Sequence, residues 1–349
     1  MEFLALPEGL TGMALWLPLV WAGIIGLAVV MYVLLDGLDL GIGIMFTAAE
    51  NENWRDRMML SVAPVWDFNE TWLILGGAGL FAVFHFAYAI LMPALYIPIL
   101  VMLIALIFRG VAFEFRFKAD SSKHWWDKSF HYGSLLATFS QGMVLGAFVQ
   151  GFSSNGRQFT GTTWDFLTPF SVMTGLALVA GYGLLGSTWL IMKTTGNLEL
   201  WARRQAMKFL VATLAAMAIV SLWVPFLDTD IRDRWFSFPN LLYLLPVPLV
   251  TVGVAYLLWQ AVARNLRYRA FFYAMALFLL GFLGLVISLF PHIVPPDVTI
   301  WEASNTPSSQ LFTLIGFSFT LPMTLIYTGY AYWVFRGKVA EDVESSGYH

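Results

Sequence analysis

Nine separate runs of predominantly apolar residues fill most of this chain, at 14–40, 58–83, 87–108, 129–152, 166–192, 207–227, 240–262, 270–291 and 310–335. A helix that crosses a bilayer needs about 20 such residues. In hydrocarbon, only a structure that satisfies its own backbone N–H and C=O groups is viable. The runs therefore predict an all-α integral membrane protein with nine transmembrane helices, forming a single polytopic domain over residues 1–349. Only "FHF" around His85 divides the second run from the third, so eight spans is the competing count. Composition agrees with lipid as the main solvent. Charged residues make up 12% of the chain, against about 25% in soluble domains.

The basic residues give an independent check. Arg55 and Arg57 follow the first run, and Arg109, Arg116, Lys118, Lys123 and Lys128 follow the third. Lys193, Arg203, Arg204 and Lys208 follow the fifth, Arg264, Arg267 and Arg269 the seventh, and Arg336 and Lys338 the ninth. Only Arg157, Arg232 and Arg234 lie elsewhere. Lys and Arg concentrate in cytoplasmic loops, so this alternation predicts an N-terminus outside and a C-terminus in the cytoplasm. No Lys or Arg precedes the first run, unlike the start of a secretory signal peptide. A net charge of −3 and the lack of a long basic run exclude a nucleic-acid partner. With no cysteine, the chain forms no disulfide and offers no thiolate for zinc or iron–sulfur clusters.

Against this background the acids stand out. Asp36 and Asp39 lie in "LLDGLDLGIG" (34–43), and Asp67 and Glu70 in "VWDFNETW" (65–72). A carboxylate at the centre of a membrane helix costs roughly 2.5–3.5 kcal/mol, and such residues mark proton relays, ion paths or cofactor contacts. Positions i and i+3 share a helix face, so Asp36 pairs with Asp39 and Asp67 with Glu70. With the second helix starting near Arg57, Asp67 is expected about 15 Å inside, near mid-membrane. Asn69 and Thr71 add polar partners in the same turn. No Lys or Arg is expected at matching depth, because Arg109, Glu114 and Arg116 are read as lying at the cytoplasmic surface. "GGAG" (76–79) suits close helix packing rather than phosphate binding. The five histidines fall at turns, helix edges or the terminus (His85, His124, His131, His292 and His349), so no pair of axial haem ligands is expected within this chain.

The residues alone leave three functions open: a proton-conducting subunit, a cation-coupled transporter, or a purely structural membrane subunit. Transporters often carry internal repeats with a midplane site, yet the second half holds no counterpart of "DGLD" or "WDFNE".

Four ordered motifs, "DGLDLGIG" (36–43), "APVWDFNETWLILGGAGLFA" (63–82), "FRGVAFEFR" (108–116) and "IWEAS…SSQL" (300–311), resemble subunit II of the cytochrome bd-type quinol oxidases. The tail "YTGYAYWVFRGKV" (327–339) resembles the cyanide-insensitive branch. The resemblance implies nine helices in two four-helix bundles plus one peripheral helix. It also implies a bacterial inner-membrane complex that oxidises quinol, reduces oxygen to water and generates proton motive force. The partner would be subunit I, holding two b-type haems and haem d, while this chain binds no cofactor through its own ligands. A structural quinone, a small single-helix accessory subunit and membrane lipids are further implied contacts. Asp67, the acid of the family's "WD" motif, and Asp39, the second acid of "DGxD", are implied in cytoplasmic proton uptake; Asp36, Glu70 and Asn69 join the candidate path through their placement in the same turns. Phe68 departs from the glycine usual after "WD", and "NTP" (305–307) lengthens the loop before "SSQL".

Overall fold

The computed structural model describes residue 7 and residues 9–341. The terminal stretches of the expected 1–349 domain, with His349, lie outside the described residues. The chain is almost wholly helical. Helix α1 (Met13–Met45) has 33 residues, about 50 Å at 1.5 Å per residue, and so exceeds the bilayer core.

The segment expected as one helix over 58–83 is two elements. A short surface helix, α2 (Glu52–Leu60), is capped by the Asn51 side chain, which accepts from the Trp54 N–H at 2.9 Å. After a turn containing Pro64 comes α3 (Trp66–Val83). The expected helix at 87–108 is likewise broken, into α4 (His85–Ala94) and α5 (Tyr96–Arg116). Pro98 has no N–H to offer the Ala94 carbonyl, and proline at such a position interrupts the helical ladder. α5 then runs to Arg116, well beyond the end of the apolar run.

The remainder is α6 (Lys123–Gln150), α7 (Pro169–Lys193), α8 (Gly196–Trp223), the short α9 (Thr229–Phe236) and α10 (Asn240–Leu244), α11 (Pro246–Ala263), α12 (Arg267–Leu289) and α13 (Pro307–Val334). Thr168 and Ser171 cap the start of α7 reciprocally. The one sheet among the described residues is a small antiparallel hairpin, β1 (His292–Val294) with β2 (Val298–Thr299), in the connection to α13.

α1, α3, α4–α5 and α6 pack as one group, and α7, α8, α11 and α12 as a second, with α13 against α1 and α3. The two groups meet where α1 and α6 pack against α7, most closely at the α1–α7 crossing. A side chain at Gly41 would strike the Tyr182 carbonyl and the Gly186 backbone, and one at Gly186 would strike Gly41 and Ile42. Small residues at such a crossing let helix backbones approach closely in membranes. Every residue from Leu34 to Gly43 is consequently buried.

Polar contacts gather the basic segments at one end of the molecule. Arg116 pairs with Asp56 and Asp127, both at 2.5 Å. Arg57 donates to the Thr195 carbonyl and Lys338 to the Thr194 carbonyl. Arg267 grips Glu199 at 2.8 Å. At the opposite end, Trp301 bonds to Leu15, and the Asn305 N–H to Val83. Chain ends therefore alternate, giving nine traverses among the described residues. Eight helices are long and apolar enough to span a membrane by length and composition. α3 is not among them, because Asp67, Asn69 and Glu70 crowd its first two turns.

Candidate functional site

The acids sit where α1, α3 and α5 converge. The α1–α7 crossing drives the glycine-rich end of α1 into the interior, carrying Asp36 and Asp39 with it, both fully buried. α5 brings Arg109, also fully buried, to face them. Its Nη1 donates to Asp36 Oδ1 at 2.6 Å, and its Nη2 to Glu70 Oε1. The expectation that no cation lies at matching depth is thus overturned. α5 outlasts its apolar run, so Arg109 lies two turns inside the helix rather than at its surface end.

Asn69, fully buried on α3, donates from Nδ2 to Asp39 Oδ2 at 2.8 Å and to the Leu35 carbonyl at 3.2 Å. The Tyr332 hydroxyl of α13 donates to Asn69 Oδ1 at 3.2 Å. One turn along α1, Gln141 of α6 donates to the Tyr32 hydroxyl at 2.6 Å and accepts from the Tyr182 hydroxyl at 2.9 Å. Asp36 Oδ2, Asp39 Oδ1 and Arg109 Nε have no partner among the described residues. A cleft of about 320 Å³ opens at the basic end between Ser61, Pro64, Lys193 and Lys338, and Tyr332 lies in its wall.

Two carboxyl groups, those of Asp36 and Glu70, thus flank one guanidinium, while Asp39 is held beside them by Asn69. Removing one partner from a buried pair leaves an uncompensated charge, at a cost of about 3–5 kcal/mol. The surplus of carboxyl groups over cations also means that a proton added here meets acceptors at short range.

Asp67 is elsewhere. It occupies the first turn of α3 and is exposed on the outer face of the chain, along the stripe of Thr71, Ile74 and Phe81. The expected mid-membrane depth is corrected, because residues 58–65 belong to α2 and the turn after it. Carboxylates are favoured near helix N-termini by the helix dipole. Glu70, one turn on, bridges the two environments, its side chain 26% exposed while it holds Arg109. Phe68 turns its ring edge-on to Tyr327 at 4.5 Å. The structure brings together Asp36, Asp39, Asn69 and Glu70, and leaves Asp67 outside their cluster.

Arg109, Tyr332 and Gln141 were not foreseen as part of the site. The signal for Arg109 was its place inside "IFRGVAF", with further aromatic residues beyond it. For cofactors, no three His, Cys, Asp or Glu residues among the described ones gather as a metal-holding group. His131 Nδ1 lies 3.0 Å from the Gly43 carbonyl, while His85 begins α4 and His292 sits in β1.

The family described as cytochrome bd terminal oxidase subunit II matches residues 17–335. The chain is 27% identical over 364 residues to cytochrome bd-I ubiquinol oxidase subunit 2 of Escherichia coli (strain K12), covering 93% of this chain and 96% of that relative. It is 28% identical over 335 residues to cytochrome bd ubiquinol oxidase subunit 2 of Bacillus subtilis (strain 168), covering 92% and 96%. The bd oxidase structure from Geobacillus thermodenitrificans superposes with a TM-score of 0.77 at 16% identity, over 92% of this chain and 98% of that one. That last likeness speaks for the fold.

Proposed function

The chain belongs to the cytochrome bd terminal oxidase subunit II family, and from that premise we propose that it takes up protons through Asp67 at its seam with subunit I. It is a multi-pass bacterial membrane protein and a subunit of a quinol-oxidising oxidoreductase complex. Haems in that complex supply the electron transfer and oxygen chemistry. This chain, on the proposed reading, carries none and supports the subunit that does.

One observation carries the reading: Asp67 is exposed on an outer helix face shared with Thr71, Ile74 and Phe81. A carboxylate facing lipid is costly, whereas one covered by a partner chain and reached by water is not. Glu70 lies one turn behind it, at the edge of the buried cluster. The cleft at the basic end, taken here as the cytoplasmic side, is walled in part by Tyr332, which is hydrogen-bonded to Asn69 and through it to Asp39. In this orientation the N-terminus lies outside and the C-terminus lies inside. Quinol, lipids, a small accessory subunit and a structural quinone remain part of the proposed surroundings.

A second reading is favoured by the ion pairs of Arg109. Asp36 and Glu70 are held by a guanidinium, so they act as a clamp joining α1, α3 and α5, leaving proton handling to Asp67 and Asp39.

The test is Asp67→Asn in the assembled oxidase. Quinol-driven oxygen consumption is expected to fall about a hundredfold or more, within the range contributed by a positioned proton-transfer group, with assembly and the haem spectrum unchanged. Normal turnover would overturn the proposal. Asp36→Asn separates the two readings: lost assembly supports the clamp, whereas slow turnover of a stable complex supports a relay.

A further inference from the structure

The positive charge at the basic end is unevenly distributed. Beneath the first helix group, Arg55, Arg57, Arg116, Lys118, Lys123 and Lys128 are matched by Glu50, Glu52, Asp56, Glu114, Asp120 and Asp127. Several of these pair directly, including Arg116 with Asp56 and Asp127, and Lys123 with Glu52. Beneath the second group the balance fails. Between Lys193 and Arg269 at this end there are seven cations and a single acid, Glu199, which Arg267 already holds.

Two of these cations, Arg203 and Arg204, line an open cleft of about 440 Å³ between the start of α8 and the end of α11, together with Leu200, Met207, Val262 and Ala263. Arg203 is pinned across its floor, donating from Nε and Nη2 to the Val262 carbonyl and from Nη2 to the Ala263 carbonyl at 2.8 Å. That leaves Nη1 without a partner among the described residues. Arg204 is exposed at the rim and, among the described residues, makes no ion pair or side-chain hydrogen bond; Lys208, one turn along the same face, is likewise exposed and unpaired. Farther along the same two helices the exposed side chains turn apolar, with Val211 of α8 at 63% and Trp259 of α11 at 49%.

We propose that this cleft is a binding site for an anionic phospholipid. The phosphate would sit between Arg203 and Arg204, with Lys208 beside it and the acyl chains along the α8–α11 groove. Basic pockets between membrane helices recognise anionic head groups in this way. A free anion has no use for the apolar walls, and a neutral lipid has no use for three uncompensated cations. The site belongs to the second helix group, away from the carboxylate cluster, so it stands or falls independently of the proton reading.

The test uses the assembled complex in nanodiscs of phosphatidylcholine, with or without phosphatidylglycerol. Phosphatidylglycerol retained after a mild detergent wash is counted by native mass spectrometry. The unaltered complex is expected to keep it, while Arg204→Gln weakens retention about fivefold and Arg204→Gln with Lys208→Gln about thirtyfold, following the usual contribution of each cation near a lipid surface. Arg204→Lys restores most of it. Lys118→Gln with Lys128→Gln removes equal charge at the same end and should change retention less than twofold. Equal loss in both double variants, unchanged retention in the first, or displacement of the lipid by inorganic phosphate alone would each overturn the proposal.

Discussion

Arg109 donates to Asp36 across the α1–α5 contact at 2.6 Å, with both side chains wholly excluded from solvent. Neither charge has water to fall back on, so each depends on the other. Arg109→Gln should therefore destabilise the fold by about 3–5 kcal/mol, read as loss of assembled complex and a lower thermal midpoint. Combining it with Asp36→Asn and Glu70→Gln removes the stranded charges and should recover much of that loss. If the triple variant is no more stable than Arg109→Gln alone, the cluster is not held together by charge compensation.

The crossing of α1 over α7 should tolerate no added atom. Gly41→Ala places a methyl group against the Tyr182 carbonyl and the Gly186 backbone, neither of which can rotate away. Overpacking of this kind costs about 1–3 kcal/mol or more. Gly77, which has open space beyond it, provides the contrast. Gly77→Ala should leave yield and thermal midpoint unchanged while Gly41→Ala lowers both.

Asn69 and Tyr332 should differ in importance, although they are hydrogen-bonded to each other. Tyr332→Phe removes one bond to a neutral amide, worth about 1 kcal/mol. Asn69→Ala strips the only described donor from Asp39, whose other oxygen already lacks a partner, at about 1–3 kcal/mol. Thermal unfolding of the two variants should rank them in that order.

The connection ahead of α13 should respond to acid. The backbone N–H and hydroxyl of Thr299 both donate to Glu302, holding its carboxyl below the usual carboxylate range. A group bound more tightly when ionised contributes stability above its unfolded value and loses that contribution as pH falls through its lower folded value. Stability should therefore decline on acidification below about pH 4, near the ordinary glutamate value, and Glu302→Gln should flatten that decline. The effect is small because the side chain is exposed. Thermal midpoints across pH 3–6 for both proteins would measure it.

Which loops share an end was legible because Lys and Arg gather on one side of a membrane, whichever residues the helices comprise. The loops around Arg55, Arg116, Lys193, Arg264 and Lys338 converge at one end as that alternation required. Helix limits were less legible where a polar residue ended an apolar run. Arg109 appeared to close a span, although α5 continues for two further turns, because hydropathy cannot distinguish a cation in water from one enclosed by carboxylates. The turn at Pro64 had the opposite effect, hiding the late start of α3 and making Asp67 look deep. The stripe of Asp67, Thr71, Ile74 and Phe81 was present in the sequence as a shared face. Only packing of the opposite face, through Asn69, Trp72 and Leu75, reveals that it points outward.

The burial of α1 from both sides has a consequence for biosynthesis. Synthesis delivers N-terminal segments first, yet the stretch Leu34–Gly43 is enclosed only once α5, α6 and α7 have arrived. Until then Asp36 and Asp39 await their counter-ion and covering helices beside the translocation machinery. A span threaded into the bilayer ahead of those three helices thus waits on all of them for its resting surroundings, and a ribosome stalled before Arg109 would leave a nascent chain with two naked acids for quality-control proteases to find.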